Sequence, residues 1–154
     1  MLKDVKKIRY DIVNAVMSGH SLNIWEIYAK VKEISKVVTS PSARHLIILH
    51  KRLKNIIRKA PVYDFAEKLL KEKEEKFVYD VFKELKPQIE KSLEKHDYLS
   101  ACSQLLEMKP LIDSFFDKVL VMVKDEKLKK NRIALIQNIS NLMLLVADFS
   151  ILSE

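Results

Sequence analysis

Length, composition and charge restrict the possible fold classes before any motif is considered. The chain has 154 residues, which suits one domain with a sizeable hydrophobic core, and it contains one glycine and four prolines. Tight β-hairpin turns need residues with positive φ, so this composition excludes a hairpin-rich β protein. We therefore predict an all-α fold, a single bundle of about six to seven helices.

Cysteine content and hydropathy exclude two further classes. The single cysteine, Cys102, cannot form an internal disulfide. The sequence shows neither a cleavable apolar leader nor an uncharged run of the ~18 residues that a membrane helix requires. We expect a soluble, cytoplasmic protein with no membrane partner.

Charge is unevenly distributed along the chain. The total of 28 Lys+Arg against 21 Asp+Glu gives a net charge of +7. Residues 41–60 contain six basic residues and no acid, whereas residues 64–97 mix ten acids with eight lysines. A mixed stretch is typical of a solvated face, but an acid-free basic stretch favours a polyanionic partner such as nucleic acid.

The first two predicted helices follow from the spacing of apolar residues. The first covers about residues 2–18 and stops at Gly19, which can adopt the left-handed conformation of a helix end. The second begins at about Ser21 or Asn23 and ends at Val38.

The third predicted helix separates apolar from basic residues. Ser40 is placed to cap it, Pro41 occupies its first position and Pro61 closes it. One side of the helix is apolar, opposite a polar stripe, and carries Leu46, Leu49, Leu53, Ile56 and Ile57. This stripe and the residues beside it, here named the basic face, comprise Arg44, Lys51, Arg52, Asn55, Arg58 and Lys59. The basic face is a candidate track for an RNA backbone, with a solvated helix face as the alternative.

Prolines divide the rest of the chain into further predicted helices. A long helix contains Pro87, so we expect a kink or a break just before that residue. The next helix has Asp97 as its cap and ends before Pro110. One helix then runs to about Met122, and the last one ends at about Phe149.

No internal repeat, low-complexity segment or linker divides the chain. We predict one helical domain over residues 1–154. Within it, residues 1–60 carry the basic face and residues 61–154 carry a Phe-Phe-Asp element and an Asn-Arg element.

Specific motifs occupy the last part of the chain. They lie in IDSFFDKVLVMVKDEKLKKNRIALIQNISNLMLLVADFSIL: a Phe-Phe-Asp followed by Val-x-Val, an acidic link, Asn-Arg ahead of an apolar helix, and an Ala-Asp-Phe-Ser end. Upstream, HKRLKNIIRKA has a Lys-Arg-x-x-Asn-Ile element, and HDYLSACSQLLEMKPLID has an Asp-Tyr-x-x-Ala segment. Together these motifs closely resemble the C-terminal part of the bacterial glycyl-tRNA synthetase beta subunit, over essentially the whole chain.

The resemblance implies a helical anticodon-binding domain of the DALR type, shared with arginyl-tRNA synthetases, and a fragment of a longer subunit. In that family the beta subunit joins a catalytic alpha subunit in a heterotetramer, and the ATP-dependent ligation belongs to alpha. The implied partners are therefore glycine tRNA, the alpha subunit and the remainder of beta. Neither a cofactor in this chain nor a DNA partner is implied.

The candidate RNA-binding residues combine the basic face with the Asn-Arg element. They are Arg44, Lys51, Arg52, Asn55, Arg58, Lys59, Lys129, Lys130, Asn131 and Arg132. Asn131 lies off the apolar side of its helix and is a candidate for a base edge or a phosphate. Lys129 stands where the family usually has arginine. It keeps the positive charge but lacks the planar guanidinium group that makes a bidentate contact.

Arg132 lies on the apolar side of the last helix, where a guanidinium needs a carboxylate partner. Asp113 and Asp117 are four residues apart on one helix face, and we predict that they form a structural brace with Arg132. Direct contact of Arg132 with RNA is the alternative.

Aromatic residues offer a second kind of RNA contact. Phe115 and Phe116 are flanked by aliphatic residues, which favours the core over base stacking. Tyr63 and Phe65, just after the basic helix, are better stacking candidates, although packing under the loop is equally compatible with their positions.

Catalytic patterns are missing from the sequence. The histidines show no metal-ligand spacing, His50 falls on the apolar side of its helix, and one glycine cannot form a phosphate-binding loop. We therefore predict a domain without a catalytic site that binds the anticodon region of glycine tRNA. The alternative is a helical docking module of a synthetase with no direct RNA contact.

Overall fold

The predicted all-α fold is confirmed. The structure, a computed structural model, describes residues 9–17 and 23–152, and those residues form six α-helices, two short 3-10 turns and no β-strand. The α-helices are α1 (Tyr10–Met17), α2 (Ile24–Val38), α3 (Pro41–Ile57), α4 (Lys73–Glu94), α5 (Tyr98–Lys118) and α6 (Glu126–Val146), and the 3-10 turns are Glu67–Leu69 and Phe149–Ile151. The start of the first predicted helix and its stop at Gly19 lie outside the described residues. Among the helices described, none combines the length and the apolar character needed to span a membrane.

Side-chain hydrogen bonds define where the helices begin. Asp97 caps α5, as predicted, because its carboxylate accepts from the backbone N–H of Ser100 at 3.1 Å. Pro41 occupies the first position of α3, also as predicted. Ser40 occupies the N-cap position of α3, as predicted, but its hydroxyl makes no hydrogen bond to the start of that helix. It donates to the carbonyl oxygen of Val37 at 2.6 Å and so satisfies the end of α2.

The predicted helix break at Pro87 and the predicted helix end before Pro110 were wrong, whereas a kink at Pro87 stays a prediction. Pro87 lies inside α4 and Pro110 lies inside α5, and neither helix is interrupted. An internal proline costs about 3 kcal/mol because it removes one backbone hydrogen bond and crowds the preceding turn. Both prolines point to solvent, while Leu85, Ile89 and Ile112 beside them are buried. Packing of α4 along α5 therefore offsets the local cost.

Helix α6 lies at the centre of the fold and determines where the basic face is exposed. It packs against α3, α4 and α5, and most of its residues are buried. On α3, Leu46, Leu49 and Leu53 are buried against this core. The opposite side of α3, which carries the basic face, is left toward solvent.

Candidate nucleic-acid interface

Most of the basic face is exposed. Arg44, Arg58 and Lys59 are exposed, and none of the three forms an ion pair with another described residue. Asn55 is also exposed, and Lys51 is partly buried. Arg44, Arg58 and Lys59 are available to neutralise phosphate groups, because no carboxylate among the described residues forms an ion pair with them.

Arg52 is exposed but held in place. Its guanidinium carbon lies 4.2 Å from the ring centroid of Phe116, and its Nη1 lies 3.7 Å from Oδ1 of Asp113. The stacked ring and the carboxylate limit the orientation of the guanidinium plane. Arg52 also borders a shallow groove of about 440 Å³, whose lining residues are Ile48, Lys51, Arg52, Asn55 and Ile56.

Lys54 lies within the acid-free segment yet pairs with an acid from the end of the chain. Its Nζ donates to Oδ2 of Asp148 at 2.6 Å. Oδ1 of the same carboxylate lies 3.7 Å from Nδ1 of His50, and Nε2 of His50 lies 3.2 Å from Oγ of Ser140. His50 is fully buried, so its predicted place in the core is confirmed.

Burial controls the protonation of this cluster. It lowers the pKa of His50 from 6.5 to about 4, although the charge of Asp148 opposes the shift. Burial would raise the pKa of Asp148, but hydrogen bonds from Lys54 and Ser150 lower it overall. His50 is therefore neutral and Asp148 is charged near neutral pH.

The stability of the chain is expected to fall as the pH decreases from 6.5 to about 4. In this range the unfolded chain binds a proton at His50 that the folded chain excludes, so protons shift the equilibrium toward the unfolded state. The loss is at most about 1.4 kcal/mol per pH unit. The pKa of Asp148 is lowered from 3.8, so protonation of this carboxylate reduces the stability of the chain further only when the pH falls to about 3.8 or lower.

Urea denaturation as a function of pH measures this effect. A His50→Gln variant keeps a hydrogen-bonding side chain near Ser140 and has no ring to titrate, so its stability should change little over the same pH range. An unchanged pH dependence in this variant would show that His50 is not the group responsible.

The predicted brace of Arg132 with Asp113 and Asp117 was wrong. Nε of Arg132 donates to Oε1 of Glu75 at 2.7 Å, and Nη1 donates to the carbonyl oxygen of Leu120 at 2.6 Å. Arg132 is 4% exposed and Glu75 is 0% exposed, so the pair is inside the protein and Arg132 does not reach the surface.

Asp113 and Asp117, the two carboxylates predicted to pair with Arg132, lie in other surroundings. Asp113 accepts from Lys109 at 2.5 Å and faces Arg52 of the basic face, while Asp117 is exposed. A signal for Glu75 was present in the sequence. It stands in register with the buried positions of α4, which are Val78, Phe82, Leu85 and Ile89. An acid on the apolar side of a helix requires a buried cation, and Arg132 is the cation that meets that requirement.

Asn131 was predicted to lie off the core, and this was wrong. It is 2% exposed, its Oδ1 accepts from the backbone N–H of Ala66 at 2.7 Å, and its Nδ2 donates to the carbonyl oxygen of Ala66 at 3.0 Å. Periodicity placed it off the apolar side, but the chain connecting α3 to α4 covers that side of α6. Neither Asn131 nor Arg132 is therefore exposed for contact with RNA.

A second amide holds the same connection, residues 58–72, here named the α3–α4 loop. Nε2 of Gln137 donates to the carbonyl oxygen of Pro61 at 2.8 Å, and Oε1 accepts from the backbone N–H of Tyr63 at 3.1 Å. Together with the two hydrogen bonds of Asn131, these contacts fix the loop backbone on α6. No pattern in the sequence indicates this role for Gln137.

The fold brings Lys130 beside the loop that follows the basic face. Its Nζ lies 5.7 Å from the ring centroid of Tyr63, and Lys130 is exposed. Lys129 is partly buried, and its Nζ lies 3.9 Å from Oε1 of Glu126. The basic face and Lys130 therefore border the α3–α4 loop from two helices.

None of the four aromatic candidates is exposed, and Tyr63 and Phe65 are partly buried against the core. Phe115 is 1% exposed, which agrees with the predicted core position, and Phe116 is partly buried beneath Arg52. The Phe65 ring packs 4.7 Å from the Tyr79 ring, so only Tyr63 of the two loop aromatics has a cation above it.

The remaining reactive groups are buried or scattered. Burial raises the pKa of Cys102 to about 12, against the opposing charge of Lys30. Within residues 9–17 and 23–152, no three His, Cys, Asp or Glu side chains come together in a way that could hold a metal ion.

Comparison with known families identifies the domain type. Residues 46–147 match the DALR anticodon binding domain family. The chain belongs to this family. The matched part of this DALR domain includes five residues of the basic face, the α3–α4 loop and the Asn-Arg element, whereas Arg44 lies just before it.

Curated relatives of this DALR domain are glycine–tRNA ligase beta subunits. The chain is 40% identical over 146 residues to that of Sulfurihydrogenibium sp., covering 94% of this chain and 22% of the relative. It is 36% identical over 140 residues to that of Persephonella marina, covering 91% and 20%, and 35% identical over 159 residues to that of Acidobacterium capsulatum, covering 97% and 22%. The chain thus spans about a fifth of the length of the curated relatives it matches.

Proposed function

We propose that this chain is the part of a glycine–tRNA ligase beta subunit that binds the anticodon region of glycine tRNA. The observation that carries the proposal is a group of exposed cations that have no ion-pair partner among the described residues, on a DALR anticodon binding domain. Arg44, Arg58 and Lys59 have no ion-pair partner among the described residues, so they are free to neutralise phosphate groups.

The geometry favours single-stranded RNA over a duplex. Unpaired nucleotides of a loop expose both phosphates and base edges, and proteins bind them with cations and aromatic rings placed side by side. Here Arg58 and Lys59 directly follow α3, Tyr63 lies further along the same loop, and Lys130 of α6 lies beside the Tyr63 ring. An anticodon loop supplies phosphates and unpaired bases for both sets.

The proposal includes the assembly in which this domain acts. The similarity to beta subunits supports a complex with the remainder of beta and with a catalytic alpha subunit, as a heterotetramer in the cytoplasm. Ligation of glycine, with its use of ATP, then takes place in the alpha subunit. The described residues of this chain contribute binding and no catalytic step.

A docking module without RNA contact is the second candidate. It is favoured by the apolar lining of the groove on α3, where Ile48 is 42% exposed beside Ile56. Leu120 and Met122, exposed by 68% and 58%, offer further apolar surface. In this case the rest of the synthetase would cover these residues, and the cations would have no RNA partner.

Binding of glycine tRNA at several salt concentrations tests the proposal. If several phosphates are neutralised, the affinity should fall by about tenfold or more between about 50 and about 200 mM salt. A nuclease footprint on glycine tRNA should show protection confined to the anticodon arm, with a non-cognate tRNA as the control. A salt-insensitive complex, or protection elsewhere on the tRNA, would contradict the proposal, and no binding of glycine tRNA at any salt concentration would favour the docking module.

A further inference from the structure

One guanidinium of the basic face lies over an aromatic ring that the core supports. The guanidinium carbon of Arg52 on α3 is 4.2 Å from the ring centroid of Phe116 on α5. Phe116 is partly buried against the core, and its ring meets the Phe115 ring edge-on, with 5.3 Å between the centroids. Phe115 is 1% exposed, so the ring beneath Arg52 is held by the interior of the protein.

Asp113 faces the same guanidinium without occupying its hydrogen-bond donors. It stands three residues before Phe116 on α5, and its Oδ1 lies 3.7 Å from Nη1 of Arg52, which is longer than a direct hydrogen bond. Arg52 forms no hydrogen bond with another described residue. Oδ2 of Asp113 accepts from Nζ of Lys109, so one carboxylate lies between two cations and the group keeps a net positive charge.

Arg52 therefore differs from the free cations of the basic face. Arg44 and Arg58 have no ion-pair partner among the described residues, so each can turn toward any nearby negative charge. A guanidinium held by a ring and a carboxylate presents its planar fork in one direction, and that fork matches two oxygens of one phosphate group. It also loses less side-chain entropy when it binds.

The held side chain remains accessible to a ligand. The side chain of Arg52 is 45% exposed, and it borders the open groove of about 440 Å³ on α3. A phosphate group can therefore approach Arg52 from the groove, on the solvent side of the ring.

We propose that Arg52 binds one phosphate group of the RNA through two of its N–H groups, and that Phe116 and Asp113 are the positioning residues for this contact. Both act through Arg52 and not on the RNA. This inference rests on the proposed function and adds the residues that orient one of its contacts. It also gives the second phenylalanine of the Phe-Phe-Asp element a role at the surface.

A double-mutant cycle tests the proposal. The unsubstituted full chain, Arg52→Gln, Phe116→Leu and the double variant are titrated with the anticodon stem-loop of glycine tRNA at low salt. Arg52→Gln should bind about tenfold more weakly, because a charge-assisted contact is lost. Phe116→Leu should bind about threefold more weakly, because leucine fills space but offers no ring to the guanidinium. The double variant should bind no more weakly than Arg52→Gln alone.

Salt dependence separates the orientation of Arg52 from its charge. Phe116→Leu keeps the charge, so its slope of log affinity against log salt should equal that of the unsubstituted chain. Arg52→Gln should decrease the slope by about 0.7, the value for one phosphate contact on a single strand. Phe116→Tyr keeps the ring and should bind as tightly as the unsubstituted chain.

A second phenylalanine provides the matched control. Phe77 on α4 is 47% exposed, and Nζ of Lys73 lies 5.2 Å from its ring centroid. Phe77→Leu removes the same kind of contact from a helix that packs on α5 and α6, so the affinity for the stem-loop should stay unchanged. A threefold loss in this variant would overturn the specific role of Phe116.

The outcomes distinguish this inference from the function on which it rests. If Phe116→Leu weakens binding equally with and without Arg52, Phe116 is merely structural, and the inference is overturned while the proposed function stands. The same conclusion follows if Arg52→Gln binds as tightly as the unsubstituted chain. If the unsubstituted chain does not bind the stem-loop, the proposed function fails and the Arg52 contact fails with it.

Discussion

Replacing Arg44, Arg58 and Lys59 together by glutamine is expected to weaken binding of the anticodon stem-loop by about 100-fold at low salt. The three side chains are exposed and have no carboxylate partner among the described residues, so each is free to neutralise a phosphate. The slope of log affinity against log salt should decrease by about two, since single strands release roughly 0.7 counterion for each phosphate contact.

The control variant carries the same change of charge elsewhere. Lys86, Lys91 and Lys95 are exposed on α4 or at its end, and α4 packs on α5 and α6 rather than on α3. Their replacement by glutamine should alter the affinity by much less and leave most of the salt slope in place. Equal losses in the two triple variants would mean that only the net charge matters, and the basic face would then have no special role.

Removing the buried ion pair at the Asn-Arg element is expected to cause the largest loss of stability. Arg132→Leu leaves Glu75 with 0% exposure and without its cation, and it removes the donor to the Leu120 carbonyl oxygen. Breaking a buried pair from one side costs about 3 to 5 kcal/mol. Chemical denaturation measures the free energy of unfolding directly.

A second substitution tests whether the isolated charge causes that loss. Oε2 of Glu75 accepts from the backbone N–H groups of Lys71 and Glu72, so Glu75→Gln removes the charge and keeps an acceptor at the start of α4. The double variant Glu75→Gln with Arg132→Leu should recover about half of the lost stability. No recovery would mean that lost packing, and not the uncompensated carboxylate, dominates.

Variants of the two aspartates provide the matching control. Asp113→Asn and Asp117→Asn should each change the free energy of unfolding by less than about 1 kcal/mol, because both positions are solvent-accessible. A loss at either position as large as that of Arg132→Leu would contradict the assignment of Glu75 as the partner.

The Asn-Arg element thus joins three separate parts of the structure. Asn131 holds the α3–α4 loop, while Arg132 holds both the start of α4 and the link after α5. These contacts connect residues 65 and 57 positions apart in the sequence. A motif that resembles an RNA-binding element therefore fixes the geometry of the surface, and other residues form that surface.

The sequence by itself determined the helical class, the start of α3 at Pro41, the Asp97 cap of α5, and the exposed side of α3. Each of these depends on neighbours within about one or two helical turns, so composition, capping and periodicity contain the information. The same local reasoning placed His50 and Phe115 in the core. That the chain is a single domain stays a prediction.

Only the tertiary structure decided which charges pair and which polar residues are covered. Pro87 and Pro110 continue their helices because α4 and α5 pack along their length, which local propensity does not include. Arg132 pairs with Glu75, and not with a nearer aspartate, because folding brings distant helices together. Asn131 is buried because a loop covers it. Periodicity describes one helix at a time, whereas burial depends on everything that packs around that helix.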